Sequence, residues 1–139
     1  MSNIPLRSKS YTIPVPPIIW QRAGLNGTRF YDAQKSDKIA TGLYLNQQHG
    51  NEPLFDKAIH MEVIFYMPIP KSIPKRETSV WHTAPGDLDN LCKFLLDASK
   101  NITMSDDRIL SSLIAKKIYD KNPRTEFTIT ELGRDDKED

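Results

Sequence analysis

The sequence predicts a single compact α+β domain in which a small mixed β-sheet carries about two helices. Three observations predict it. The chain has 139 residues, near the common size of one domain and long enough to bury a core without staples. From Ile59 to Met67 apolar and polar side chains alternate, the period of a strand with one buried face. From Leu88 to Ser99 apolar side chains recur at i, i+3, i+4 and i+7, the stripe of a helix packed on one side.

The elements follow in chain order. Residues 1–10 are polar and predicted to be flexible, with the domain running from 11 to 133. Tyr11 to Val15 reads as a short strand, and Pro14 places it at an edge or a strand end. Trp20 to Tyr31 contains Gly24 and Asn26-Gly27, a turn signal that predicts a small hairpin with Arg29-Phe30-Tyr31. Asp32 is placed to cap a helix reaching about Gln48, with Ile39 and Leu43 on its inner face and Ala33, Ala40 and Tyr44 helping. Gly50 is its stop. Pro68 and Pro70 close the strand that begins at Ile59, and a long connection without period leads to Gly86. Loops of that length are commonly functional or disordered. Beyond the second helix, Arg108–Tyr119 and Arg124–Leu132 read as two strands around an Asp120-Lys121-Asn122-Pro123 turn. They are predicted to pair antiparallel. Gly133 ends the domain, and residues 134–139, with four acids and two bases, read as a disordered acidic tail.

Composition bounds the function only loosely. Net charge is +1, and without the tail 17 basic side chains face 14 acidic ones. That balance does not by itself announce a nucleic-acid protein, so any attraction to DNA comes from how charge is distributed. One cysteine excludes an internal disulfide. Cys92 lies on the apolar helix stripe, which reads as a packed thiol in a reducing compartment. No signal pattern and no long apolar run is present, so a cytoplasmic protein is expected.

The chemistry concentrates between Asp87 and Asp107. Asp87-Leu88-Asp89-Asn90-Leu91-Cys92-Lys93 opens the helix, and Ser105-Asp106-Asp107-Arg108 follows its end. Asp87 is a good N-cap, and Asp89 sits where the helix dipole favours negative charge. Side chains two apart on a helix point about 200° apart. Asp87 and Asp89 therefore converge only if Asp87 is non-helical, as a cap residue is. Each acid has an ordinary structural explanation: an acidic first turn, i, i+4 pairs with Lys93, or a solvated turn. Together they are unfavourable, since two carboxylates about 4 Å apart repel by roughly 4 kcal/mol at an effective dielectric near 20. A hard cation removes that repulsion, and all-oxygen ligation suits Mg²⁺ or Mn²⁺. The expectation is a cleft in which all four acids approach one another.

The run Asp87-Leu88-Asp89-Asn90-Leu91, with Lys93 and then Asp106-Asp107, resembles the RusA family of Holliday-junction resolvases. The front of the chain agrees: Thr12-Ile13-Pro14-Val15-Pro16-Pro17, followed by Trp20-Gln21-Arg22, is similar to the family's opening. The resemblance covers about Tyr11 to Leu132. It implies a homodimeric, Mg²⁺-dependent endodeoxyribonuclease that nicks four-way DNA junctions in recombination and repair. It carries over Asp87, Asp89 and Asp107 as metal-binding catalytic acids, and Asp106 and Lys93 as supporting residues. Where many relatives have a basic residue before the first acid pair, this chain has Ala84-Pro85-Gly86.

Candidate DNA contacts are Arg22, beside Trp20, and the loop cations Lys71, Lys75 and Arg76, which suit a phosphate backbone. Trp81 in the same loop suits an unstacked base. Arg29, Lys35 and Lys38 read as solvated. His82 reads as an exposed histidine more readily than as a proton carrier. Phe94, off the apolar stripe, suits a dimer seam or packing beneath a loop. Two rival readings remain: a non-catalytic junction or single-strand DNA-binding module, and a metal-dependent nuclease acting on RNA or flaps.

Overall fold

A computed structural model describes residues 6–20, 24–26, 29–31, 34–72 and 80–133. Six strands and two helices are described: β1 (Ser8–Ile13), β2 (Gly24–Asn26), β3 (Arg29–Tyr31), α1 (Lys35–His49), β4 (Ile59–Met67), α2 (Leu88–Ser99), β5 (Leu110–Tyr119) and β6 (Arg124–Glu131). Four strands form one mixed sheet in the order β1-β6-β4-β5, and β2 and β3 form the separate hairpin that Asn26-Gly27 predicts. Both helices contribute side chains to the core beneath the sheet.

β4 is the centre of that sheet. Its alternation holds without a break: Ile59, Met61, Val63, Phe65 and Met67 are all buried. It pairs antiparallel with β6 on one edge and parallel with β5 on the other. The expected β5–β6 pair is therefore corrected, because β4 lies between them. The short 120–123 connection crosses over the end of β4, a span of roughly 10 Å between next-nearest strands. The Asp120 N–H donates to the Met67 carbonyl at 2.9 Å there. Arg124 braces the crossing, its Nη1 donating to Asp120 Oδ2 and to the Asn122 carbonyl, each at 2.8 Å.

β1 begins three residues earlier than the sequence suggests, at Ser8. Hydroxyl pairs across to β6 account for the extension: Ser8 with Thr130 at 3.0 Å and Ser10 with Thr128 at 2.7 Å. Such pairs stabilise polar strands that hydrophobic patterning cannot detect. Further along, Tyr11 stacks on Phe127 and donates its hydroxyl proton to His49 Nδ1 at 2.7 Å. The His49 Nε2–H donates to the Pro53 carbonyl at 3.2 Å, so both ring nitrogens are bonded at the end of α1. Burial pushes the Tyr11 phenol well above its usual range.

α1 starts after Gln34, Asp32 lying outside the described residues, and ends at Gly50 with φ +66°, as Gly50 predicts. Its inner face is not the expected one. Thr41, Leu45 and His49 are buried, whereas Ile39 and Leu43 are 55% and 66% exposed. Two contacts turn the helix this way. His49 is held by Tyr11, and Gly42 faces the turn after α2, where an added Cβ would lie 2.7 Å from Ile102 Cδ1. Close helix approach through glycine outweighs burial of two aliphatic side chains. α2 keeps its expected stripe, with Leu91, Leu95 and Ser99 buried. Phe94 is buried too, beside Val15, Pro16, Pro17 and Ile18, so it packs beneath the proline-rich segment and forms no dimer seam.

The phase of α1 is testable by denaturant unfolding. Leu45→Ala is expected to destabilise the fold by about 2–5 kcal/mol, and Leu43→Ala by no more than about 0.5 kcal/mol. The reverse ranking would restore the face that periodicity suggests.

Candidate nuclease groove

The start of α2 is built by the residues before it. Gly86 is buried at φ +124°, a conformation that L side chains rarely adopt, and a Cβ there would face Ile19, Met67 and His82. The chain then straightens at Asp87 (φ −70°, ψ 138°), the expected N-cap. Its carbonyl accepts the Leu91 N–H at 3.1 Å, but its side chain makes no capping bond. That carboxylate is exposed and uncommitted within the helix. Asp89, also exposed, accepts the adjacent Asn90 N–H at 3.0 Å.

Trp20 is fixed against the same end. Its N–H donates to the Asn90 carbonyl at 3.0 Å, and the Lys93 ammonium lies 4.0 Å from its ring centroid. A cation–π contact at such an exposed site contributes about 0.5–1 kcal/mol. It also orients Lys93, replacing the expected i, i+4 partners. Asp97 pairs instead with Lys38 of α1 at 3.8 Å.

Between α2 and β5 runs an open groove of about 840 Å³. Leu88, Leu96, Leu113 and Ala115 give it an apolar lining, and Asp89, Lys93, Asp97 and Asp107 contribute its charge. Cys92 lies under the same groove. Burial, with a smaller contribution from Asp89, pushes its thiol up to about 11, so it is a packed thiol as expected.

The second acid pair sits where α2 ends. Asp106 caps a single 3-10 turn, Asp107–Ile109, by accepting the Arg108 N–H at 3.1 Å. Lys100, the residue after α2, lies 3.8 Å from Asp106. The bond from Arg108, the neighbouring Asp107 carboxyl and the Lys100 charge hold the Asp106 carboxyl below the usual range. Asp107 is exposed.

Asp89 and Asp107 thus share one groove, but from its two ends. Asp89 and Lys100 are eleven positions apart, roughly 16 Å along a helix axis. Oxygens ligating one Mg²⁺ lie about 2.1 Å from it, so within about 4 Å of each other. Among the described residues, no three Asp, Glu, His or Cys side chains form such a group. The expected cleft with all four acids together does not form within one chain. The cause is the parallel pairing of β5. The strand begins opposite Ile59, beside the end of α2, and reaches the Met67 end, where α2 starts, ten residues later.

Residues 80–86, which lead into α2, are held more firmly than their composition suggests. Val80 and His82 hydrogen-bond to the outer edge of β5: the Tyr119 N–H donates to Val80 at 2.9 Å and the His82 N–H to Lys117 at 3.2 Å. His82 is 7% exposed, not solvated, and its ring centroid is 4.9 Å from that of Tyr119. Burial and the Lys117 charge lower its pKa, so the ring is neutral near pH 7. Trp81 projects beside it, 57% exposed. Lys71 is exposed, while Arg22, Lys75 and Arg76 lie outside the described residues. One residue escaped sequence reasoning altogether. Lys117 Nζ donates to the Gly86 carbonyl at 2.7 Å, a contact 31 positions away along the chain that no local pattern announces.

The fold and groove define a small α+β protein that carries acids at both ends of a concavity and a lysine between them. The family model described as "Endodeoxyribonuclease RusA" matches residues 14–130, most of the chain, and the chain belongs to that family of nucleases acting on DNA. It is also similar to "Uncharacterized protein YqaN" of Bacillus subtilis (strain 168), with 31% identity over 94 residues. That alignment covers 62% of this chain and 66% of the relative. No helix among the described residues is long and apolar enough to cross a membrane.

His82 gives the fold a pH dependence of known sign. Its folded pKa lies below the unfolded value of about 6.5, so above that pH the ring is neutral in both states. As pH falls through 6.5 the unfolded chain takes up the proton first, and stability drops. The melting-temperature difference between wild type and His82→Asn is expected to shrink between pH 7 and pH 5. A constant difference would show that His82 titrates alike in both states.

Proposed function

We propose that this chain is a Mg²⁺-dependent endodeoxyribonuclease that resolves four-way DNA junctions by paired nicks and acts as a homodimer. The observation that carries the reading is the placement of two acid pairs at opposite ends of one groove. A two-fold axis perpendicular to the groove reverses its direction. Two copies packed antiparallel along α2 and β5 therefore bring the Asp87–Asp89 end of one protomer to the Asp106–Asp107 end of the other. The apolar lining supports this, with Leu113 of β5 41% exposed within it. Apolar surface of this kind is commonly covered by a partner.

The donor set fits a hard cation: Asp87 and Asp89 present carboxylates with no His or Cys among them, and the partner's Asp107 completes an all-oxygen group. When bound, Mg²⁺ supplies positive charge and Lewis acidity at the scissile phosphate. The protein's side chains do the rest. Asp106, tied to the Arg108 N–H and to Lys100, holds the turn that presents Asp107. Lys93, seated on Trp20, directs its ammonium towards charge developing on the phosphoryl oxygens or the leaving oxygen. Arg22, Lys71, Lys75 and Arg76 meet the phosphate backbone, and exposed Trp81 offers a stacking surface to an unpaired base. Two sites related by a two-fold axis match the symmetry of a junction, and the expected compartment is the cytoplasm.

Asp89→Asn is expected to abolish nicking of a four-way junction in Mg²⁺ while junction binding survives in a gel-shift assay. Wild-type cutting by this variant would remove Asp89 from the chemistry. Mixing Asp89→Asn with Asp107→Asn tests the shared site. Random exchange makes half the dimers mixed, each with one intact site, so nicking should recover to about a quarter of wild type. No recovery would place both acids in one protomer's site. Linear duplex, flap and RNA substrates run alongside decide the substrate class.

A further inference from the structure

We propose that Lys117 is a positioning residue that sets the direction of Asp87 by clamping both ends of the segment leading to it. The inference rests on the reading of Asp87 as a metal ligand. Two bonds carry it, and both belong to one residue. The Lys117 carbonyl accepts the His82 N–H at 3.2 Å, and its ammonium donates to the Gly86 carbonyl at 2.7 Å. The segment 82–86 is thus held at its first and last residues by a single position on β5.

The second bond acts directly on the acid. The Gly86 carbonyl and the Asp87 N–H belong to one planar peptide unit, so fixing the oxygen fixes the plane from which Asp87 departs. Gly86 needs such a restraint. At φ +124° it occupies a region open to glycine, and glycine adopts either sign of φ with little preference. The Asp87 side chain supplies no restraint of its own, since it makes no capping bond. Along β5, Lys117 has the same parity as Leu113 and Ala115, which line the groove, so all three share its α2-facing side. His82, on the same segment, is buried with its ring beside that of Tyr119. Misplacing a reacting group by about 1 Å lowers rates by on the order of a hundredfold, so a loose Gly86–Asp87 peptide is expected to matter for metal capture as well as for nicking.

The test compares wild type with Lys117→Met and Lys117→Arg in the full chain. Amide hydrogen exchange at Leu91, whose N–H the Asp87 carbonyl accepts, measured without metal or DNA, should quicken by roughly tenfold in Lys117→Met as the local opening becomes easier. Mn²⁺ affinity, followed by electron paramagnetic resonance, should weaken in parallel. Junction affinity in a gel-shift assay should stay within about twofold, and Lys117→Arg, which keeps charge and donors, should restore much of the Mn²⁺ affinity. Unchanged exchange, or lost junction binding with unchanged Mn²⁺ affinity, overturns the proposal; the latter would make Lys117 a backbone contact. If Lys117→Met does not fold, the milder Lys117→Gln is judged by the same two readings. A wild-type chain that neither binds Mn²⁺ nor nicks overturns the metal reading alone, and exchange at Leu91 still decides the clamp.

Discussion

Parallel pairing of β5 with β4 is the constraint on which the rest of the structure depends. A parallel neighbour starts at the same end as the strand it joins, so Asp107, just before β5, lies beside the start of β4. α2 enters from the far end and runs back towards Asp107. The helix and the strand therefore carry their acids at opposite ends of the groove between them. One strand direction separates four carboxylates that sequence spacing would bring together.

That separation has an electrostatic advantage. Exposed carboxylates kept a helix length apart repel weakly, because water and salt screen charges beyond about 8–10 Å. Assembly through a two-fold axis would bring the two pairs together and would make ion binding and dimer contact mutually dependent. The apolar lining of the groove fits the same scheme. Leu88, Leu96, Leu113 and Ala115 face a concavity that a phosphate backbone alone has no chemical reason to occupy.

The entrance to α2 is organised from both sides of the chain. Trp20 comes from the proline-rich opening, bonds to Asn90 and carries the Lys93 ammonium on its ring. Lys117 comes from β5 and holds the Gly86 carbonyl. Between them, Gly86 turns the chain beside Ile19, Met67 and His82 at φ +124°, a backbone conformation that L side chains rarely adopt. The two acids at the helix mouth are exposed, but the backbone beneath them is packed.

The sequence by itself determined whatever follows from local period and local chemistry. The alternation of Ile59–Met67 is strong because one face of β4 is buried along its whole length. The α2 stripe and the Asp87 cap are equally local, since neighbouring side chains and a single turn decide them. The acid motif was legible as residue types, and so was family membership. Only the tertiary structure decided the phase of α1, where the close approach of Gly42 and the Tyr11–His49 bond outweigh the aliphatic pattern. It also decided the insertion of β4 between β5 and β6, the burial of His82 and Phe94, and the reach of Lys117 to Gly86. Each depends on groups distant along the chain whose pairing no local window contains, and strand order in particular is set by which edges remain free once the core has closed.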